Sequence, residues 1–400
     1  MKIRPVILCG GAGTRLWHNT KKHQAKQFID FGGWTLLGKT LERIKNPLYD
    51  DPIISTNLKY LKEVKKNLKK YNIFDYKIVL EPAKKNTGPA ILSSALIDEI
   101  PYKQPIIFLS AAHLIEKINK FNNEIKKNIK FLTSNNIFVF GIKPSTPSSL
   151  FGYFVTKKSN NQNRVIKFIE KPNTTKAKFI INRGGYWNSG MFFARKDSII
   201  NNFKKYQKKM FKYSLLAVSR SKYKNKIYKL KKSMFIKNPS KSFDYAILEK
   251  TNDINAIKLD MPWSDLGSWK EILLMFNKNK MKYFKKKNIF YRPWGHYINL
   301  YSGKNFLIKE LYVKPNGILS LQKHFHRSEH WVIIKGIPKI TLNKKLFFKK
   351  PYETIFIPKG AIHRIQNLNK KPVKIMEAQL GHILKETDIV RLEDAYGRIN

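Results

Sequence analysis

The chain has 400 residues, with 78 Lys and Arg against 27 Asp and Glu, giving a formal net charge of +51. Its length fits two or three domains, and a 42% hydrophobic content is enough to build buried cores, which excludes a wholly disordered chain. No run of about 18 uncharged apolar residues occurs, which excludes a membrane-spanning helix, and the single cysteine, Cys9, excludes intrachain disulfides.

The first apolar run, RPVILC, is too short for a secretory leader and leads straight into a glycine-rich turn, so it reads as the first strand of a fold. Together with the lone cysteine this predicts a cytoplasmic protein. The charge allows a nucleic-acid binder or a lysine-rich surface without a dedicated partner. The lysines are scattered along the whole chain among many Asn and Ile, and no helix-turn-helix, zinc finger or aromatic RNA-binding signature accompanies them. The second reading is therefore preferred: no specific nucleic-acid partner, no membrane, and a field that draws anionic substrates.

After RPVILC the apolar runs DPIIST, YKIVL, PIIFLS and IFVFGI read as buried strands, with helical stretches at Lys59–Tyr71 and Gly88–Ile100 between them. The alternation predicts an α/β domain, Rossmann-like, on an open and mostly parallel sheet, with ligands at the carboxyl ends of the strands. Asn201–Lys241 is lysine-rich and is expected to be helical and solvated. Residues 277–288 form a basic segment that reads as a linker, between a first domain at 1–276 and a second at 289–400. Beyond it, short strands punctuated by PNG, KG and PKG predict an all-β barrel.

The first strand runs into Gly10-Gly11-Ala12-Gly13-Thr14-Arg15, whose glycines let the backbone approach a phosphate. Lys26-Gln27-Phe28, Glu81-Pro82, Lys85-Asn86-Thr87-Gly88, Phe151-Gly152-Tyr153, Glu170-Lys171-Pro172, Trp187-Asn188-Ser189-Gly190-Met191-Phe192 and Trp263-Ser264-Asp265-Leu266-Gly267 follow in order. As a set these strings resemble the sugar-1-phosphate nucleotidyltransferases, in the mannose-1-phosphate guanylyltransferase branch. The resemblance implies GTP and mannose 1-phosphate as substrates. Gly10, Gly11, Gly13, Thr14, Arg15, Lys26, Glu81, Asn86 and Thr87 would bind the nucleotide. Gly152, Glu170, Lys171 and Asn188 would bind the sugar phosphate. Arg15 and Lys26 would neutralise the triphosphate, and Asp265 would hold Mg²⁺. One departure stands out: the family's second metal-binding Asp, after its central strand, is Ala112 here. Guanylyl transfer is accordingly expected to be weakened, because alanine cannot coordinate a hard cation.

In the second half, Gln322-x-His324-x₄-Glu329-x₆-Gly336 and Pro358-x-Gly360-x₂-His363-x₃-Asn367 match the two cupin motifs, with Gln in place of the usual first His. Alternation on a strand puts Gln322 and His324 on one face, and a barrel brings His363 across to them. Two imidazoles, a carboxylate and an amide oxygen suit Zn²⁺ or another divalent ion, with His326 and His330 as neighbours rather than ligands. The surrounding strings YRPWG, LSLQ, EHW and DIVRL resemble type II phosphomannose isomerases, with the jelly-roll cupin fused behind a guanylyltransferase. That implies interconversion of mannose 6-phosphate and fructose 6-phosphate, with Arg327 and Arg364 as candidate catalytic groups. Lys309 and Lys335 read as ordinary surface charge, and no base is assigned. Homo-oligomerisation is left open. Rival readings are an isomerase on a degenerate transferase scaffold and a non-catalytic sugar-nucleotide-binding protein.

Overall fold

The computed structural model describes residues 1–11, 25–29, 34–265, 282–283, 289–303 and 305–398. They belong to two compact units, the first carrying most of residues 1–265 and the second centred on 289–398.

The first unit is built on an 11-stranded sheet. From one edge its strands are Lys222–Lys224, Ile227–Lys229, Lys77–Glu81, Ile53–Asn57, Arg4–Leu8, Pro105–Ser110, Tyr186–Arg195, Ile137–Ile142, Ile254–Leu259, Gln162–Ile169 and Tyr153–Ser159. The strands Lys77–Glu81, Ile53–Asn57, Arg4–Leu8 and Pro105–Ser110 are parallel neighbours, as are Ile137–Ile142 and Ile254–Leu259. Tyr186–Arg195 runs antiparallel between the two sets. The apolar runs are buried on both faces because helices cover the sheet. Thr87–Ala95 is buried almost throughout and packs on Val6, Ile53 and Val79.

The lysine-rich segment departs from expectation. It is largely helical at Lys196–Tyr206, Lys208–Ser219 and Lys232–Phe235, but a hairpin at Lys222–Lys229 interrupts it. Met210, Ala217, Val218, Leu230 and Phe235 are buried in the main core. Lysine stems and heads cover the outside while a sparse apolar stripe carries the packing, roughly 1.5–3 kcal/mol for each large side chain removed from water.

The second unit is two antiparallel sheets packed face to face. One contains Gly295–Gly303, Phe306–Val313, Val373–Gly381, Arg327–Lys335 and Thr354–Ile357 in that order, with Ile289–Arg292 paired to the first of them. The backbone of Lys282–Tyr283, within the segment read as a linker, also pairs with Tyr301–Ser302. The other sheet runs Lys345–Phe348, Lys339–Leu342, His363–Gln366, Leu321–His324, Ile389–Glu393. Leu311, Trp331, Ile333, Ile340, Ile365 and Ile375 interdigitate between them. One end of this interior is apolar and the other end is polar.

Candidate active sites

At the carboxyl ends of the parallel strands a cavity of about 290 Å³ is lined by Gly10, Gly11, Glu81, Lys85, Asn86 and Thr87, among others. This is the position topology assigns to a ligand in such sheets. Asn86 adopts φ +68° and caps the helix Thr87–Ala95, its side chain accepting from Thr87 N at 2.9 Å. Thr87 Oγ1 in turn accepts from Phe243 N at 2.9 Å. Glu81 is buried, with Ser55 Oγ donating to its Oε1 at 2.7 Å. Burial outweighs that bond and pushes the carboxyl up to about 7. Gly13, Thr14 and Arg15 lie outside the described residues.

A carboxyl whose pKa is raised by folding stabilises the fold below its ordinary pKa of 4.5, and that contribution is lost as pH rises through about 7. Glu81→Gln should therefore gain stability over the parent between pH 5 and pH 8, by up to about 3 kcal/mol. Denaturant unfolding at the two pH values checks this; equal stability of both proteins at pH 8 would contradict it.

Lys26 and Asp265 are both buried and meet directly, Lys26 Nζ donating to the Asp265 backbone carbonyl. A short ladder pairs Trp263 with Ile115 and Ser264 with Leu114, which carries Asp265 alongside His113 and Ala112. His113 is buried with its ring edge-on to Trp263 at 5.2 Å. Ala112 offers only its backbone, its N–H donating to Ser110 Oγ at 3.2 Å.

Gly152, Glu170, Lys171 and Asn188 form a second cluster in the first unit. Any side chain at Gly152 would reach Glu170, since a Cβ there would stand 2.4 Å from Oε2. Lys171 Nζ lies 3.4 Å from Glu170 Oε1, and the Asn188 backbone N–H donates to the Gly152 carbonyl at 2.8 Å. Asp244, to which no role was attached from sequence, accepts from Asn188 Nδ2 at 2.7 Å and fixes that amide. Burial, then the nearby Asp244 charge, raises the Glu170 carboxyl to about 7.

In the second unit, ligand atoms of His324, Glu329 and His363 lie within 4.8 Å of one another, and all three residues are buried. Among the described residues this is the one group of three or more His, Cys, Asp or Glu side chains placed to hold a metal ion. His324 Nδ1 sits 3.3 Å from the Asp388 carbonyl and His363 Nδ1 sits 2.9 Å from the Ala361 carbonyl. A carbonyl can only accept, so each Nδ1 carries a proton, and each Nε2 is the nitrogen left pointing inward, the atom that ligates in a neutral imidazole. Those Nε2 atoms face Glu329, at 3.1 Å from His324 and 3.6 Å from His363. Converging imidazole nitrogens and carboxylate oxygens fit a cation, and backbone carbonyls behind the imidazoles are the usual support of metal-binding histidines. Gln322 Nε2 lies 3.4 Å from His324 Nε2 and 3.5 Å from His363 Nε2. A half-turn of that amide would present Oε1, the atom able to ligate.

Around these donors, Lys309, Arg327, Glu377, Gln379 and Arg391 line an open cavity. Arg327 is buried; its Nε donates to Glu329 Oε1 at 3.1 Å and its NH1 to the Lys385 carbonyl at 3.0 Å. His330 is buried and stacked on Phe356 at 4.4 Å, and His326 bonds Asp388 at 2.8 Å, so both are neighbours of the cluster.

Residues 4–281 match the family Nucleotidyl transferase, and residues 278–394 match Mannose-6-phosphate isomerase C-terminal. The chain belongs to the two-domain mannose-1-phosphate guanylyltransferase family. It is 29% identical to the mannose-1-phosphate guanylyltransferase of Klebsiella pneumoniae, over 99% of this chain and 100% of that protein. It is 30% identical to the alginate biosynthesis protein AlgA of Pseudomonas aeruginosa, over 98% of this chain and 97% of that protein. Among solved structures, a mannose-6-phosphate isomerase from Helicobacter pylori aligns with a TM-score of 0.57 at 27% identity, covering 66% of this chain and all of that one.

Two residues sit otherwise than this family member's sequence led us to expect. Arg364 is not in the barrel cavity: strand alternation turns it to the face opposite His363, where it pairs with Glu393 at 3.0 Å. Lys309 is not a surface lysine; it is buried in the cavity wall, with Nζ 4.7 Å from the centre of the Tyr297 ring. Lys335, by contrast, is exposed.

Proposed function

We propose that this chain makes GDP-mannose from GTP and mannose 1-phosphate in its first unit, releasing pyrophosphate, and interconverts mannose 6-phosphate and fructose 6-phosphate in its barrel. The observation that carries the reading is the inward set of His324, Glu329 and His363 ligand atoms beside Arg327 and Lys309, in a chain that also carries the strand-end cavity. We place the division between the two activities in the basic segment 277–288.

In the first unit, Gly10, Gly11, Gly13 and Thr14 would lie against the triphosphate, with Arg15 and Lys26 neutralising its charge. Glu81 would accept from the paired N–H groups on the guanine edge, and Asn86 and Thr87 would hold the nucleotide beside it. Glu170 and Asn188 would bind mannose hydroxyls, Gly152 giving them room, while Lys171 meets the sugar phosphate. Asp265 would hold Mg²⁺. Catalysis in such transfers is mainly positioning and charge neutralisation, which suits a site built of fixed donors.

In the barrel, His324, Glu329, His363 and Gln322 would hold Zn²⁺ or another divalent ion, which supplies Lewis-acid polarisation of the sugar carbonyl when bound. Arg327 and Arg391 would hold the anionic sugar phosphate. Arg391 is suited to this, since its Nε is buried in the cavity wall with no hydrogen-bond partner among the described residues.

The structure has no helix long and apolar enough to cross a membrane among its described residues; we place the enzyme in the cytoplasm, with GTP and sugar phosphates. Ala112 favours one alternative, an isomerase carried by a weakened transferase. Both reactions should be assayed on the purified full chain with divalent ions present. Fructose 6-phosphate formation with little GDP-mannose selects the alternative; neither product refutes both readings.

A further inference from the structure

The isomerisation needs a group that takes a proton from one sugar carbon and returns it to the next. We infer that Glu377, with Lys309 beside it, is that group; this rests on the isomerase reading above.

Among the described residues three carboxylates line the barrel cavity: Glu329, Glu377 and Glu386. Glu329 faces the two imidazoles and is bonded by Arg327 and by Trp331 Nε1. Glu386 is occupied by the Tyr297 hydroxyl at 2.7 Å and by Arg292 at 2.8 Å. Glu386 is exposed and neutralised by its ion pair with Arg292, whereas Glu377 is buried and keeps an oxygen free for substrate. Its Oε1 accepts from Gln379 Nε2 at 2.6 Å, while Oε2 makes no hydrogen bond among the described residues.

Register explains the placement. Lys309 stands opposite Glu377, and Glu377 opposite Trp331, so the three project to the same interior face of adjacent strands. Two residues along, Gln379 stands opposite Glu329. The Gln379 amide donates to both Glu329 Oε1, at 3.1 Å, and Glu377 Oε1. One amide thus ties the candidate base to the metal-binding carboxylate and sets the distance between them.

The step balances as follows. Glu377 takes the proton from C2 of the open-chain aldose. The C2–H electron pair becomes the C1=C2 bond, and the carbonyl pair withdraws onto O1, where the Lys309 ammonium would offset the charge. The O2 hydroxyl proton then passes to O1 while Glu377 returns its proton to C1, leaving a carbonyl at C2. No external oxidant or reductant is required.

The test compares the metal-loaded full chain with Glu377→Gln and Glu377→Asp. Each is assayed for isomerisation of mannose 6-phosphate, for deuterium entry at C1 and C2 in D₂O by NMR, for metal content, and for binding of mannose 6-phosphate. Glu377→Gln should lose about 10²–10⁴-fold in turnover and exchange while keeping its metal and its substrate affinity. Glu377→Asp, which keeps the carboxylate, should recover part of that loss. Turnover by Glu377→Gln within about threefold of the parent overturns the assignment, and so does a loss that tracks loss of metal. A parent chain that neither isomerises nor exchanges refutes the isomerase reading itself, a result distinct from an active parent with an active Glu377→Gln.

Discussion

His363→Gln should cut isomerisation by about 10³-fold or more and leave the barrel folded. The reasoning starts from charge. Burial pushes the His363 pKa down, so the ring is neutral and its removal takes no charge from the core. Glutamine keeps much of the volume beside Trp331, whose ring lies 5.5 Å from the imidazole. What is lost is one inward lone pair of the donor set. A Lewis acid contributes several kcal/mol to stabilising a developing oxyanion, and each 1.36 kcal/mol is tenfold in rate. Glu329 is a poorer choice of mutation, because removing it takes the nearer of two carboxylate partners from the buried Arg327 and leaves Asp388 at 3.6 Å, so folding and metal binding would be lost together. Turnover and thermal unfolding of His363→Gln, measured on the same preparation, separate the two effects. Parental turnover in a protein depleted of metal would count against the donor set.

The second large effect is a gain. Ala112→Asp should raise guanylyl transfer by about 10²-fold or more at fixed Mg²⁺. The ladder Ser264–Leu114 holds Asp265 alongside residues 112 and 113, so a carboxylate at 112 would be added next to one already buried. Two carboxylates so placed share a divalent ion better than one, because Mg²⁺ demands a near-complete oxygen shell. Pyrophosphate release, followed across a Mg²⁺ series, reads the effect directly. Equal rates for Ala112→Asp and parent would show that Asp265 and the substrate phosphates already hold the ion.

Much of both sites could be read from the chain because their residues fall in short strings. Gln322 and His324 alternate on one strand, Glu329 follows at the start of the next, and His363 is opposite Gln322 in the ladder. Strand periodicity puts Gln322 and His324 on one face, and the barrel implied by the two cupin strings brings Glu329 and His363 to them. Arg364 could have been excluded by the same rule, since a residue adjacent to an inward His363 must point outward. Lys309 and Glu377 lay beyond local reading: they meet only through the register of two strands remote in sequence, and a lysine amid many surface lysines carries no sign that it is buried. Asp244 was hidden for a similar reason, as its link to Asn188 joins separate elements. The lysine-rich stretch 201–241 misled because abundant charge masked the few apolar residues that enter the core.

The account stands most directly on a metal add-back titration of the isomerisation of mannose 6-phosphate. The chain is stripped by a chelator, and Zn²⁺ or Mn²⁺ is then returned in steps. It predicts negligible turnover in the stripped protein and a rise that levels off at about one ion per chain, the stoichiometry of a single donor set. Full turnover in chelator, with metal absent by elemental analysis, would contradict it.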